Sequence, residues 1–182
     1  MTTTRLRDEA LMMLGGKGSI LDVARRISRI LESTQIPGAI IGGVAVVLHG
    51  HVRTTVDVDV YVPEEKQTLA DALRADGFTF DAAGREFERD GVPVHLVTPE
   101  QATIEPRQRV KIDGVQTISL ADLINLKLAS GTSNVLRAQD IADVIGLIRA
   151  NHLTGAFTRK IHKPLRNEFR RLEKAVKKDL SS

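Results

Sequence analysis

Between residues 19 and 33 the apolar residues Ile20, Val23, Ala24, Ile27, Ile30 and Leu31 recur at three- and four-residue intervals. That spacing places them on one face of a helix, and Ser19 stands where its hydroxyl can cap the first turn. The period then changes. Residues 38–41 form a short strand that ends in Gly42-Gly43, and residues 44–48 read as a short apolar helix before a loop at Gly50-His51. The run Val56-Asp57-Val58-Asp59-Val60 alternates strictly, the period of a strand with one buried face. It turns Val56, Val58 and Val60 to the core and both carboxylates to the other side.

Pro63 is placed to open a helix at its first position, with Leu69, Ala72 and Leu73 inward and Gly77 at its end. Phe78 and Phe80 begin another strand. Asp90-Gly91, between Phe87-Glu88-Arg89 and residues 92–97, is a two-residue hairpin signal. Pro93 puts the second of these strands at a sheet edge, or where its missing N–H is not needed. Residues 109–112 and 116–118 read as strands around Asp113-Gly114. Ser119, with Asp122 three residues on, caps a helix to about residue 130. A further helix over residues 134–151 carries Val135, Leu136, Ile141, Val144, Ile145 and Ile148 on one stripe. A last helix over residues 159–179 packs through Leu165, Phe169, Leu172 and Val176.

The chain therefore divides into an N-terminal tail (1–18), a main domain (19–152) and a basic helical extension (153–182). The tail holds a short apolar run, Ala10 to Leu14, read as a helix. It also holds Gly15-Gly16-Lys17-Gly18-Ser19, which lacks the spacing of a phosphate loop and is read as a plain loop.

Composition narrows the classes. The 182 residues are 42% hydrophobic and 27% charged, enough for a core and a polar surface, while aromatics supply only 3%. The core is accordingly aliphatic. With no Cys, disulfides, thiolate metal sites and a Cys nucleophile are excluded. No apolar run is long enough to span a bilayer and no signal-peptide pattern opens the chain, so a cytoplasmic location is expected. The net charge of +3 is uneven: residues 159–178 hold nine Lys/Arg against two Glu, a balance of +7, which leaves −4 for the rest. Such an arm suits an RNA or protein partner, or is a solvated helix face.

The chemistry concentrates at residues 42–59. Two carboxylates on one strand face repel unless a cation lies between them, and oxygen donors of this kind suit Mg²⁺ or Mn²⁺. Gly42 and Gly43 leave bare amides at a helix start, where phosphate binds. A metal beside a phosphate cradle implies phosphoryl or nucleotidyl transfer.

Gly-Gly, thirteen intervening residues and hydrophobic-Asp-hydrophobic-Asp-hydrophobic together resemble the signature of the DNA polymerase β-type nucleotidyltransferase superfamily. Arg53-Thr54-Thr55-Val56-Asp57-Val58-Asp59 is most similar to the branch that includes the AbiEii-like toxins and the minimal nucleotidyltransferases. The resemblance covers roughly residues 36–150. It implies an α/β (α+β) fold with a short mixed sheet flanked by helices, and metal-assisted transfer of a nucleoside monophosphate from an NTP to an RNA, protein or small-molecule hydroxyl. It also implies a toxin–antitoxin setting with a cognate partner protein. Asp57 and Asp59 would be the metal ligands, and Gly42, Gly43, Arg53 and Lys127 the nucleotide-binding residues.

In the family a third acid lies on a later strand in a hydrophobic-acid-hydrophobic context. Here that place is Val94-His95-Leu96. His95 is a variant ligand or base, or it marks a site that binds one metal and nucleotide but turns over slowly, or it is a structural strand residue in a module that kept the fold and lost catalysis. Glu88 is a poor substitute, because the hairpin pairs it with Pro93. Lys127 shares a helix stripe with Leu120, Leu123, Ile124 and Leu128, so it either snorkels to water or aims at a charged site. Arg53 could hold triphosphate or pair with Asp57. Arg137, Asp140 and Asp143 resemble a family helix motif that is as much brace as site, and His49 and His51 are read as loop residues.

Overall fold

The computed structural model describes residues 19–180. The tail helix and the loop expected before residue 19 lie outside this range. Among the described residues seven strands form one mixed sheet in the order β3-β4-β5-β2-β1-β7-β6. They are β1 (Ala39–Ile41), β2 (Val58–Tyr61), β3 (Thr79–Asp81), β4 (Glu86–Arg89), β5 (Val92–Val97), β6 (Arg109–Ile112) and β7 (Val115–Ile118). The α-helices are α1 (Ser19–Thr34), α2 (Gly42–Leu48), α3 (Lys66–Ala75), α4 (Leu120–Ser133), α5 (Ala138–Ala150) and α6 (Arg166–Asp179). This is the mixed α/β architecture expected. None of the helices is long and apolar enough to cross a membrane.

Strand alternation divides the core in two. Ile40, Val58, Val60 and Val94 pack on one face of the sheet with the α1 stripe and with Leu69 and Leu73 of α3. Ala39, Ile41, Tyr61 and Ile118 pack on the other face with α4, α5 and α6. Asp57 and Asp59 have the parity of Tyr61, so they belong to the second face, at the end of β2 that these helices leave open.

Both Asp-Gly turns have positive φ at each residue, 54° and 74° at Asp90-Gly91 and 49° and 80° at Asp113-Gly114. That is the mirror-image turn whose twist matches a hairpin. β5 is nevertheless an interior strand, between β4 and β2, which excludes the edge placement of Pro93. Pro93 faces Glu88 across the hairpin, and β2 begins only opposite Val94. The second explanation holds: next to Arg89↔Val92, the Glu88–Pro93 pair is non-hydrogen-bonded, and no β2 residue is yet alongside.

Four local expectations are corrected. β2 starts at Val58, and Val56, expected in the core, is 42% exposed. α3 starts at Lys66 behind Glu65, whose φ is +57°, so Pro63 lies in the turn before the helix. The helix expected over residues 134–151 is broken into a 3₁₀ turn, Val135–Arg137, and α5. Asn134 caps that turn through Leu136 N–H, which swings Val135 and Leu136 out to 85% and 88% exposure. Finally, α6 is preceded by two 3₁₀ turns, Gly155–Lys160 and Lys163–Leu165, with Pro164 in the second.

Candidate active site

The sheet register assembles the site. β1 and β2 run antiparallel with Ile41 opposite Asp59, and β2 and β5 run parallel with Asp59 beside His95. The chain turns into α2 directly after Ile41, so Gly42 lies against Asp59. Gly42 has φ +66°, and a Cβ there would fall on Asp59 Oδ2 and come within 2.9 Å of Cγ. A Cβ on Gly43 would lie 2.7 Å from Thr55 Cβ and 3.0 Å from Arg53 Nη2. Only glycine admits this approach of backbone to carboxylate.

Asp57, Asp59 and His95 offer donor atoms that all lie within 4.8 Å of one another. Nδ1 of His95 is 3.3 Å from Asp59 Oδ1 and 3.6 Å from Asp57 Oδ2. Thr55 donates its hydroxyl to Asp57 Oδ1 at 3.1 Å. Burial and the neighbouring charge of Asp57 raise the pKa of Asp59, against the opposing pull of His95 and Lys127. Burial disfavours the charged ring of His95, but the Glu86 hydrogen bond and the charges of Asp59 and Asp57 outweigh it and raise its pKa.

Glu86 is the residue that the sequence reading missed. Its Oε2 accepts from His95 Nε2 at 2.7 Å. The register that pairs Phe87 with Val94 and Glu88 with Pro93 sets Glu86 opposite His95 when continued by one residue. The same hairpin argument that dismissed Glu88 would have found it.

Asp57, Asp59 and His95 line a cavity of about 650 Å³ together with Gly42, Gly43, Arg53, Lys127 and Arg137. Lys127 is buried and does not snorkel. Its Nζ meets Asp140 at 2.6 Å and Asp143 at 2.8 Å. Arg53 pairs with Asp143 at 2.8 Å, not with Asp57, and Arg137 pairs with Asp140 at 2.8 Å. Three cations thus share two carboxylates, leaving one positive charge in excess beside the cavity that holds Asp57 and Asp59. His49 and His51 are structural. His49 Nε2 is 2.8 Å from the Ile118 carbonyl, and the His51 ring occupies the space where a Cβ on Gly146 would stand.

A family model described as nucleotidyltransferase of unknown function (DUF6036) matches residues 19–168. The chain belongs to this family. No curated protein matches it in sequence. Two solved structures share the fold of this nucleotidyltransferase-family chain. One is ANT(2″)-Ia in complex with adenylyl-2″-tobramycin, with a TM-score of 0.57 at 17% identity, covering 82% of this chain and 95% of that one. The other is an antigenic nucleotidyltransferase-like protein from Paracoccidioides brasiliensis, with a TM-score of 0.51 at 22% identity, covering 70% and 74%.

Nucleotidyltransferases generally use divalent metals, and the donor set here fits one. An octahedral ion with bonds of about 2.1 Å separates neighbouring ligand atoms by about 3 Å, close to the 3.3 and 3.6 Å between His95 Nδ1 and the two carboxylates. The space at Gly42, which a side chain would fill, keeps Asp59 turned toward this point.

Proposed function

We propose that the chain transfers a nucleoside monophosphate from an NTP to an acceptor hydroxyl, with Mg²⁺ or Mn²⁺ held by Asp57 and Asp59. The observation that carries this reading is the contact of Asp59 with the bare Gly42 backbone in a cavity also lined by Arg53, Lys127 and Arg137. When bound, the metal neutralises charge on the phosphates and aligns the displacement. Gly42 and Gly43 offer backbone amides to the β- and γ-phosphates, and Arg53 and Lys127 supply positive charge there. His95 completes the catalytic set at the third acid's position. In the transfer the acceptor oxygen bonds to the α-phosphorus, and the bond from that phosphorus to the bridging oxygen breaks. Pyrophosphate leaves, and the hydroxyl proton passes to a neighbouring base.

The acceptor we favour is RNA. A second groove of about 780 Å³ lies along the first turns of α4, the helix that also carries Lys127, and is lined by Arg107, Arg159, Lys160, Lys163 and Arg166. Phosphate backbones are held by clusters of this kind. The likeness of residues 53–59 to the AbiEii-like branch extends the proposal to a cytoplasmic toxin–antitoxin pair, with a protein acceptor or cognate partner as the alternative use of the basic surface.

Labelled NTPs with Mg²⁺ or Mn²⁺ are incubated with total RNA, with lysate protein and with small hydroxyl acceptors. Label moves to RNA in the wild type, disappears in Asp57→Ala, and falls in Lys163→Glu through a raised KM for RNA. Label that survives Asp57→Ala refutes the site. The competing reading is a module that binds nucleotide or a partner without catalysis. The approach of His95 to both acids favours the enzyme; nucleotide binding with no transfer to any acceptor would favour the module.

A further inference from the structure

His95 lies between acidic groups on both ring edges: Glu86 at Nε2, Asp57 and Asp59 at Nδ1. The Glu86 carboxylate accepts hydrogen bonds only. A neutral His95 therefore carries its proton on Nε2, toward Glu86, and its lone pair on Nδ1, toward the two aspartates. A lone pair aimed at two carboxylate oxygens is repelled by them, so Nδ1 takes up either a proton or a metal cation, and a metal that binds the two aspartates displaces that proton. Carboxylates behind ligating imidazoles fix ring orientation and tautomer in this way at metal centres.

We propose that Glu86 is a positioning residue that holds His95 as an Nδ1 ligand, making a mixed two-oxygen, one-nitrogen site that selects Mn²⁺ over Mg²⁺. The inference rests on the reading of Asp57 and Asp59 as the cation site. Its chemistry is that of the donors: carboxylates serve both ions, but Mg²⁺ takes oxygen ligands almost exclusively, whereas Mn²⁺, the first member of the divalent transition series, also bonds to an imidazole nitrogen. Replacing a third carboxylate by a neutral nitrogen also removes one negative charge, which weakens the hold on a hard ion more than on one that bonds to nitrogen.

The test is pulsed electron paramagnetic resonance of Mn²⁺ bound to the full chain with inorganic triphosphate, which contains no nitrogen. The protein carries ¹⁵N-labelled histidine, and Mn²⁺ and Mg²⁺ affinities are measured in parallel. The wild type gives a histidine-nitrogen coupling on Mn²⁺ and binds Mn²⁺ more tightly than Mg²⁺. In His95→Asp the coupling vanishes and the Mn²⁺/Mg²⁺ affinity ratio falls about tenfold or more. Glu86→Ala weakens Mn²⁺ binding by about 10–100-fold, the usual effect of losing an outer-shell partner, and Glu86→Gln, whose amide oxygen can still accept, recovers part of it. Mn²⁺ that is lost in Asp57→Ala but shows no histidine coupling in the wild type overturns this inference and leaves the cation site standing. Mn²⁺ binding unchanged by Asp57→Ala and Asp59→Ala overturns the underlying reading as well. The wild-type coupling needs no variant, so a misfolded mutant does not decide the result.

Discussion

At the scale of single residues the site depends on what is missing at position 42. Gly42→Ala meets two penalties at once. A left-handed conformation costs an L-residue about 1–2 kcal/mol, and the new Cβ collides with Asp59 Oδ2 at a φ of +66°. The fold can tolerate the first, but the second is relieved only by turning the carboxylate away from Asp57 and His95. Gly42→Ala is therefore expected to keep a cooperative unfolding transition, lowered by a few degrees, while cation binding and transfer fall by about 100-fold, the scale of a misplaced reacting group. Calorimetry of Mn²⁺ binding beside thermal unfolding separates the two effects. Full activity in a folded Gly42→Ala would show that Asp59 is not the group this backbone positions.

Between elements, α4 and α5 are joined by the buried network of Lys127, Asp140 and Asp143, which also reaches Arg53 in the loop before β2. Burial works against the charge of Asp140, but hydrogen bonding and attraction from Lys127, with help from Ser130 and Arg137, carry its pKa below the ordinary value. A depressed carboxylate pKa gives stability that is present above the unfolded-state value and is lost as pH falls through the folded one. Lys127→Met removes the one cation shared by Asp140 and Asp143, leaving each with a single arginine partner, Arg137 and Arg53, and should cost about 1.5–3 kcal/mol near neutral pH, the scale of a lost charged hydrogen bond. The cost should shrink as acid neutralises Asp140, so urea midpoints of wild type and variant converge toward low pH; a constant gap would mean that packing, not charge, is lost. This network also marks the limit of sequence reading. Alternation at residues 56–60 and glycines at 42 and 43 gave the carboxylates and their cradle, because period 2 and a bare backbone are local properties. The α1 stripe and both Asp-Gly turns were legible for the same reason. Lys127 could be seen as out of place on an apolar stripe, but its partners lie on another helix and only packing reveals them. Glu86 was within reach, two positions before the Glu88 that was weighed and rejected. The break at Asn134 was hidden because Val135 and Leu136 complete a helical stripe on paper, while the Asn134 cap starts a separate turn.

For the molecule as a whole, the question is whether the basic segment after residue 152 is an appendage or part of the core. Its charges face water, but Ile161, Phe169, Leu172 and Val176 are buried in the same cluster as Ile118, Leu123, Leu128 and Val144. Phe169 is fully buried, with the Phe157 ring 5.7 Å away. Asn125 of α4 fastens the connection from inside, donating to the Lys160 carbonyl at 3.2 Å and accepting from His162 N–H at 2.8 Å. Burial of a large apolar side chain contributes about 1.5–3 kcal/mol, so four such anchors supply roughly 6–12 kcal/mol, comparable with the 5–15 kcal/mol that separates a folded domain from its unfolded chain. The positive charge and the hydrophobic anchors of one segment thus serve different ends. Reversing exposed charges, as in Lys163→Glu with Arg170→Glu, should leave the unfolding midpoint within about 0.5 kcal/mol of wild type while, on the proposal that the acceptor is RNA, raising the KM for RNA. A chain ending at residue 152 should instead lose its cooperative transition and expose the α4–α5 face. Circular dichroism melts of the two proteins decide the matter: a truncated chain that still unfolds cooperatively would show that the sheet and its first five helices are stable alone, and that the segment serves binding and not the fold.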